Sequence, residues 1–239
     1  MDMNKEKFSL LVPMAASAID INVPIQFRHN IENGFMNCIW SVLSINLDKF
    51  TDIYFIYLKE YNDKYNIKDQ LKAELNKVAI KDKFIDKNIH FYELNYPTTS
   101  QAATIYATIL DAEIEGPICI KDTDNLCETN KIEIGNYILS YSLEDTALVD
   151  PQHKSYIDLD DQQFITNTIE KRVVSDRFNC GGYVFADSND FCIAYNSIID
   201  YADNDNHLYM SHIIYWLTLY KDIKFRPIEC TNYIDFEIE

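Results

Sequence analysis

The sequence predicts an α/β fold in which helices cover both faces of a mostly parallel, mixed sheet. In the first half, short apolar runs alternate with amphipathic stretches, as expected for strands joined by crossover helices. In the second half, apolar runs follow one another without long helices, which predicts an antiparallel or mixed extension of the same sheet. No repeat, low-complexity tract or linker interrupts the 239 residues, so we expect residues 1–239 to form one domain.

The hydrophobic pattern predicts each element in turn. Continuous apolar runs predict the strands of the first half, which are 8–13, 52–58, 90–94 and the run that ends at Asp122. Apolar residues at helical spacing predict helices over 35–45 and 59–81, and a third helix that begins at the capping pair Thr99-Ser100. In the second half we expect strands at 133–150, 164–171, 181–185, 224–228 and 233–235, and helices at 191–201 and 208–220.

Composition excludes several classes of protein. A formal net charge of -17 argues against general binding to nucleic acids or membrane surfaces, which requires a basic footprint. The six cysteines form no CxxC pair and no zinc spacing with the five histidines, so we interpret them as small buried hydrophobic residues in a reducing compartment. The chain has neither an apolar run of membrane-spanning length nor a signal-peptide pattern, so we expect a soluble, cytoplasmic protein.

Two carboxylates stand one residue apart where the apolar run after Gly116-Pro117 ends. Asp122 and Asp124 should therefore lie at the carboxyl edge of the sheet, where open α/β folds bind their ligands. Paired carboxylates of this kind bind a divalent cation, which in turn binds substrate phosphates. The alternative is an acidic turn without a ligand, because Asp and Asn favour turns.

Four further segments accompany this acidic motif. In chain order, the five segments are 11–15, 97–104, 120–125, 169–171 with 180–185, and 232–235. Together they resemble the sugar-1-phosphate nucleotidyltransferases, or NTP transferases, of the glycosyltransferase A-like fold. The resemblance implies a Rossmann-like sheet of the nucleotide-diphospho-sugar transferase type.

The resemblance also implies positions for a site. Asp122 or Asp124, with Asp235, would hold Mg²⁺ (or Mn²⁺), and Asp124 and Lys171 would be the catalytic residues. The implied substrate-binding residues are Ala15, Ala16, Gln101, Thr104, Glu170, Gly181 and Gly182.

The residues themselves leave simpler interpretations open. The pair Glu170-Lys171 also fits a solvated surface, and on a straight strand only one of its side chains faces a pocket. The segment at Thr99-Ser100 also fits plain helix capping, and Gly181-Gly182 also fits a β-bulge. Asp235 also fits a surface residue at the end of a terminal strand.

The chain departs from the family in its nucleotide loop. Residues 15–20 contain no glycine and no cation, and residues 23–28 lack the family's lysine. Glycines let backbone amides approach phosphates, and cations neutralise the charge that develops during transfer. Arg28, Lys121 and Lys171 are the candidates for supplying a cation from elsewhere.

The resemblance implies a nucleotidyltransferase that activates a phosphorylated sugar or similar small polar compound with a nucleoside triphosphate, for capsule or lipopolysaccharide synthesis. One alternative is a metal-dependent glycosyltransferase that uses a nucleotide sugar, since Asp122-Thr123-Asp124 also resembles the Asp-x-Asp motif. A catalytically inactive binding relative is the other. We expect the nucleotide and a sugar-phosphate-like compound as partners, no nucleic acid, and a possible homo-oligomer.

Overall fold

Eleven strands and six α-helices form the part of the chain that the computed structural model describes, which is residues 7–15, 23–145, 149–201 and 208–237. The strands are β1 (Ser9–Pro13), β2 (Asp52–Leu58), β3 (Asn88–Leu94), β4 (Ile118–Lys121), β5 (Asn125–Glu128), β6 (Tyr137–Ser142), β7 (Ser155–Leu159), β8 (Ile165–Glu170), β9 (Arg177–Phe185), β10 (Arg226–Glu229) and β11 (Asn232–Asp235). The helices are α1 (Asn37–Leu43), α2 (Lys59–Tyr65), α3 (Ile67–Leu75), α4 (Gln101–Asp111), α5 (Ser188–Ile198) and α6 (Met210–Lys221). None of the helices in these ranges is long and apolar enough to cross a membrane.

One mixed sheet organises the fold. Its main path runs β10-β6-β9-β4-β1-β2-β3, and β7 and β8 extend it from β9. The pairs β1–β2, β2–β3, β1–β4 and β6–β10 are parallel, whereas β9 is antiparallel to both β4 and β6. Strands β5 and β11 form a separate antiparallel pair. The predicted α/β fold, with a mostly parallel first half and an antiparallel extension, is confirmed.

The central strands are buried along their whole length. Every residue of β1, β2 and β4 is buried, including Ser9 and Lys121. Strands covered on both faces have continuous rather than alternating apolar runs, which is why the sequence predicts them well. Their parallel order brings the carboxyl ends of β1, β2 and β4 to one edge of the sheet.

The expected helix over 59–81 is wrong in extent. Two helices, α2 and α3, meet there at Asn66, whose backbone is left-handed with φ of 52°. The Asn66 N–H donates to the Asn62 carbonyl at 2.8 Å and closes α2. Asparagine visits this conformation more readily than most residues, so the chain turns without a glycine.

The second half is also more divided than expected. The predicted strand over 133–150 is limited to β6, and the predicted strand 181–185 begins earlier, at Arg177. Two strands, β5 and β7, have no counterpart in the sequence prediction. Strand β5 has only four residues and follows directly on the acidic turn, so its sequence pattern cannot be distinguished from that of a loop.

Gly182 lets β9 pack against β6. A Cβ atom at this position would lie 2.5 Å from Cδ2 of Leu139 and 3.0 Å from its Cβ. Real Cβ atoms do not approach so closely, and Leu139 is fully buried. Gly182 is therefore required by packing between adjacent strands.

We expect Gly182→Ala to lower the free energy of unfolding by about 1 to 3 kcal/mol through overpacking. Leu139→Ala removes Cδ2, the atom that the new methyl group would approach most closely. The double variant should therefore be less destabilised than the sum of the two single variants by more than about 0.5 kcal/mol. Urea denaturation of all four proteins measures this difference, and strict additivity would contradict the packing explanation.

Candidate functional site

A cavity of about 510 Å³ opens where β1 and β4 end. Its lining includes eight of the residues implied by the resemblance, which come from four of the five segments: Ala15, Gln101, Thr104, Asp122, Asp124, Glu170, Lys171 and Gly181. The carboxyl edge of a parallel sheet is the usual ligand position in open α/β folds. The structure thus brings distant candidate residues around one space.

Two of the implied residues, Gly182 and Asp235, are placed outside the cavity lining. Gly182 packs against Leu139 and is not part of the cavity lining. Asp235 does not line the cavity either, and its carboxylate lies in an ion pair. Ala16 and the rest of the loop through Asp20 lie outside the described residues.

A buried ammonium group lies beneath the acidic turn of residues 122–125. Lys121 has no exposed surface. Its Nζ donates to the main-chain oxygens of Asp122 at 2.8 Å and Asn125 at 3.3 Å, and to Oδ1 of Asn125 at 2.9 Å. A buried charge is tolerated only when it is hydrogen bonded or paired. Through these three hydrogen bonds, the Lys121 ammonium holds Asp122 and Asn125, the first and last residues of the turn.

Hydrogen bonds from four other segments fix the same turn. Ser41 donates to the Asp122 carbonyl at 2.6 Å, and the Asp122 N–H donates to the Gly181 carbonyl at 2.7 Å. The Thr123 hydroxyl donates to the Pro13 carbonyl at 3.3 Å, and the Phe236 N–H donates to the Asp124 carbonyl at 3.0 Å. The interpretation as an acidic turn is correct for the backbone, and this turn is held rigidly at the cavity.

The two carboxylates of the turn differ in their surroundings. Asp122 is half-buried, and its Oδ1 accepts a hydrogen bond from Nε2 of Gln101. Burial, with a further contribution from the charge of Asp124, raises the pKa of Asp122 from 3.8 to about 7. Asp124 is exposed, and its Oδ1 accepts from Nδ2 of Asn125 at 2.8 Å.

Gly181 allows β9 to approach this turn closely. Its φ is +74°, and a Cβ atom there would lie 2.6 Å from Oδ2 of Asp122 and 2.7 Å from Nδ2 of Asn125. The register of β9 against β6 shifts at this point, as in a β-bulge. The two interpretations of the glycine pair, a bulge and a cavity wall, both describe Gly181.

The chain bends at Lys171, and both members of the Glu170-Lys171 pair line the cavity. Lys171 follows β8 directly and has a left-handed φ of 55°. Oε2 of Glu170 accepts from the hydroxyls of Ser155 at 2.7 Å and Ser211 at 3.0 Å, which fixes the carboxylate. Nζ of Lys171 is 3.0 Å from the Tyr209 hydroxyl, and this hydrogen bond raises the pKa of Lys171.

The start of α4 combines capping with a place in the cavity lining. Ser100 is the N-cap, and its hydroxyl accepts from the Ala103 N–H at 3.2 Å. Gln101 reaches the Asp122 carboxylate, whereas the buried Thr104 hydroxyl bonds to the Thr98 hydroxyl and the Ser100 carbonyl. The capping interpretation is confirmed for Ser100, and it does not exclude contacts with a ligand at Gln101.

Of the three cations considered as substitutes for the family's loop, only Lys171 lines the cavity. Arg28 donates to the Val23 carbonyl at 2.8 Å and is not part of the lining. Lys121 is not part of the lining either, because its ammonium is buried and donates to oxygens of Asp122 and Asn125.

Lys154 is a further cation in the cavity lining, and sequence reasoning missed it. Its Nζ donates to Oδ2 of Asp235 at 2.6 Å and to the Tyr233 hydroxyl at 2.7 Å. The residue directly precedes β7, which was not predicted. The short apolar pattern at Tyr156-Ile157 was the only signal that a strand begins there.

Comparison with known proteins identifies the fold. The sequence matches no family model, and no curated protein matches it. Among solved structures, a nucleoside-diphosphate-sugar pyrophosphorylase from Vibrio cholerae RC9 is similar with a TM-score of 0.71 and 17% identity, over 97% of this chain and 96% of that chain. An inositol-1-phosphate CTP transferase from T. maritima is similar with a TM-score of 0.67 and 12% identity, over 97% and 89%. A UDP-glucose pyrophosphorylase complexed with UDP-glucose has a TM-score of 0.67 and 10% identity, over 97% and 93%. The chain therefore has the fold of the nucleotide-sugar pyrophosphorylases and nucleotidyltransferases, as the resemblance of its five segments predicted.

Proposed function

We propose that the chain is a nucleotidyltransferase that joins a nucleoside triphosphate to a phosphorylated sugar or similar small polar compound. An oxygen of the acceptor phosphate attacks the α-phosphorus, the bond from that phosphorus to the bridging oxygen breaks, and pyrophosphate leaves. The observation that carries this proposal is the convergence of the acidic turn, Lys171 and Lys154 on one cavity. Its volume of about 510 Å³ lies within the usual range for small-molecule sites.

The acidic turn suits a hard divalent cation, Mg²⁺ or Mn²⁺. Asp122 and Asp124 supply oxygen ligands, and burial, followed by repulsion from Asp124, raises the pKa of Asp122. A cation relieves this repulsion, so the donor set fits the metal. When bound, the metal would neutralise charge on the nucleotide phosphates.

Asp235 is the proposed second ligand, and it has a competing partner. Its Oδ2 holds Lys154 at 2.6 Å, and its Oδ1 accepts from the Glu237 N–H at 3.0 Å. Asp235 can serve a metal only after Lys154 releases it. If the ion pair opens, Asp235 can bind the metal and Lys154 can bind a phosphate of the substrate.

The remaining residues position the two substrates. Lys171 neutralises the acceptor phosphate, while Glu170, held by Ser155 and Ser211, accepts from acceptor hydroxyls. The first turn of α4 also lines the cavity, where the Gln101 side chain and the helix N-terminus suit the nucleotide. Catalysis then rests on positioning and charge neutralisation, without a protein nucleophile.

Other parts of the assignment stay predictions. These are synthesis of capsule or lipopolysaccharide, a cytoplasmic location, a single domain and a homo-oligomer. Transfer of a sugar from a nucleotide sugar is the alternative reaction for the same acidic turn, and an inactive binding relative is the alternative from another class.

The proposal predicts metal-dependent binding of a nucleoside triphosphate, followed by pyrophosphate release when a phosphorylated sugar is added. A thermal-shift screen of nucleoside triphosphates and nucleotide sugars, with and without Mg²⁺, identifies the ligand, because saturation at 100 times Kd adds about 2.7 kcal/mol. Asp124→Asn should weaken the metal-dependent binding at least about tenfold, which is about 1.4 kcal/mol. Asp86→Asn, an exposed aspartate outside the cavity lining, is the matched control and should bind normally.

The other outcomes decide against the proposal. A shift with nucleotide sugars alone, with no pyrophosphate release, would favour the glycosyltransferase. Binding that is independent of metal and unchanged in Asp124→Asn would favour a binding relative.

The raised pKa of Asp122 predicts a pH-dependent stability. Between pH about 4 and 7, Asp122 keeps in the folded chain a proton that it has released in the unfolded chain. Its contribution to the free energy of unfolding therefore falls as the pH rises through this range. The fall is at most about 4 kcal/mol, at 1.36 kcal/mol for each unit of pKa difference. Chemical denaturation from pH 4 to 8 in a metal chelator should show a smaller fall for Asp122→Asn than for wild type or Asp86→Asn. Equal pH profiles for all three proteins would contradict the raised pKa.

A further inference from the structure

Three cysteines form a cluster behind the acidic turn. Cys127 belongs to β5, Cys180 to β9, and Cys230 directly follows β10. Their Sγ atoms all lie within 4.8 Å of one another, and those of Cys180 and Cys230 are 3.5 Å apart. The three residues are 0%, 1% and 4% exposed, respectively. The fold thus brings together three buried sulfur atoms from two strands and from the segment after β10.

The spacing of these sulfur atoms is that of a metal site. With a metal–sulfur distance of about 2.3 Å, two ligands of one ion are separated by about 3.8 Å in tetrahedral geometry and about 4.0 Å in trigonal geometry. Both values lie between the 3.5 Å that separates Cys180 from Cys230 and the 4.8 Å limit within which all three sulfur atoms lie. Thiols that converge in this way from β5, β9 and the segment after β10 can serve as ligands of one ion.

The thiols of the cluster differ in their surroundings. Burial raises the pKa of Cys180, and the hydrogen bond with Cys127 raises that of Cys230. Burial also opposes ionisation of Cys127, but hydrogen bonds from the other two thiols and the charge of Lys121 lower its pKa below its usual value. The ammonium of Lys121 also offsets the negative charge that three thiolates bring to a metal.

We propose that Cys127, Cys180 and Cys230 bind one thiophilic d¹⁰ cation, Cu⁺ or Zn²⁺, through their three sulfur atoms. Thiolates select these ions over the hard cations that suit Asp122 and Asp124. Within the described ranges no fourth His, Cys, Asp or Glu completes the cluster. Structural zinc is nearly always four-coordinate, so the set of three favours Cu⁺.

A bound ion would connect three segments that lie next to the acidic turn. Cys127 lies two residues after Asn125, which accepts from Lys121, and Cys180 adjoins Gly181, which touches Asp122. Cys230 leads into β11, which carries Asp235. One ion would therefore link the segments that carry Asn125, Gly181 and Asp235, while remaining separate from the carboxylates of the acidic turn.

The test uses reduced, metal-stripped full-length protein under inert gas. Titration with Cu⁺ against a competing Cu⁺ chelator, and with Co²⁺ followed by displacement with Zn²⁺, measures affinity and stoichiometry. We expect one equivalent per chain and a near-ultraviolet band for charge transfer from sulfur to metal. Carboxylate ligands give no such band, so the result is independent of the proposed function of the neighbouring cavity. The ion that binds most tightly in these titrations identifies which metal the three cysteines select.

Three variants complete the test. Cys180→Ala and Cys230→Ser should lose the band and bind at least 100-fold more weakly, whereas Cys192→Ala, a buried cysteine on α5, should behave as wild type. Absence of the band in wild type with all the ions would overturn the proposal without reference to any variant. Retention of the band in both Cys180→Ala and Cys230→Ser would also overturn it.

Discussion

The hydrogen bonds of the buried Lys121 ammonium are the interaction on which the site depends. A fully buried lysine is costly unless its charge finds acceptors, and here the acceptors are the backbone and side chain of the turn that follows. Because the ammonium binds both Asp122 and Asn125 through main-chain oxygens, the turn between them has one conformation. The position of the two acidic side chains follows from this constraint.

The rest of the cavity is arranged around that turn. The bulge in β9 brings Gly181 against Asp122, and only a glycine fits where a Cβ would lie 2.6 Å from the carboxylate. The same approach removes water from Asp122 and leaves it near Asp124, which raises its pKa to about 7. A site with two crowded carboxylates and two nearby lysines is suited to bind a metal together with phosphates. This arrangement of charged groups, rather than the fold alone, supports the proposed nucleotidyltransferase activity, since function depends on the site.

The sequence predicted those parts that depend on local pattern. Continuous apolar runs identified β1, β2 and β4, and the acidic pair after β4 identified the edge of the sheet. It did not predict the break at Asn66, because a single left-handed asparagine leaves the helical pattern intact. The sequence did not predict β5 and β7, because such short strands form through pairing with distant strands and have little local pattern. Lys154 was missed for the same reason, since it directly precedes β7. The cysteine cluster was invisible for a related reason: Cys180 and Cys230 are 50 positions apart, and only the meeting of β9 with the segment after β10 joins them.

Hydrogen exchange in Lys121→Met tests the central claim most directly, because it examines the turn without assuming any ligand. Methionine keeps most of the side-chain volume and removes the charge. The account predicts at least about tenfold faster exchange at the Asp122 and Phe236 amides, which bond to Gly181 and Asp124, with unchanged protection in β2. Unchanged protection at both amides would show that the acidic turn is held without the buried ammonium, and would contradict the account.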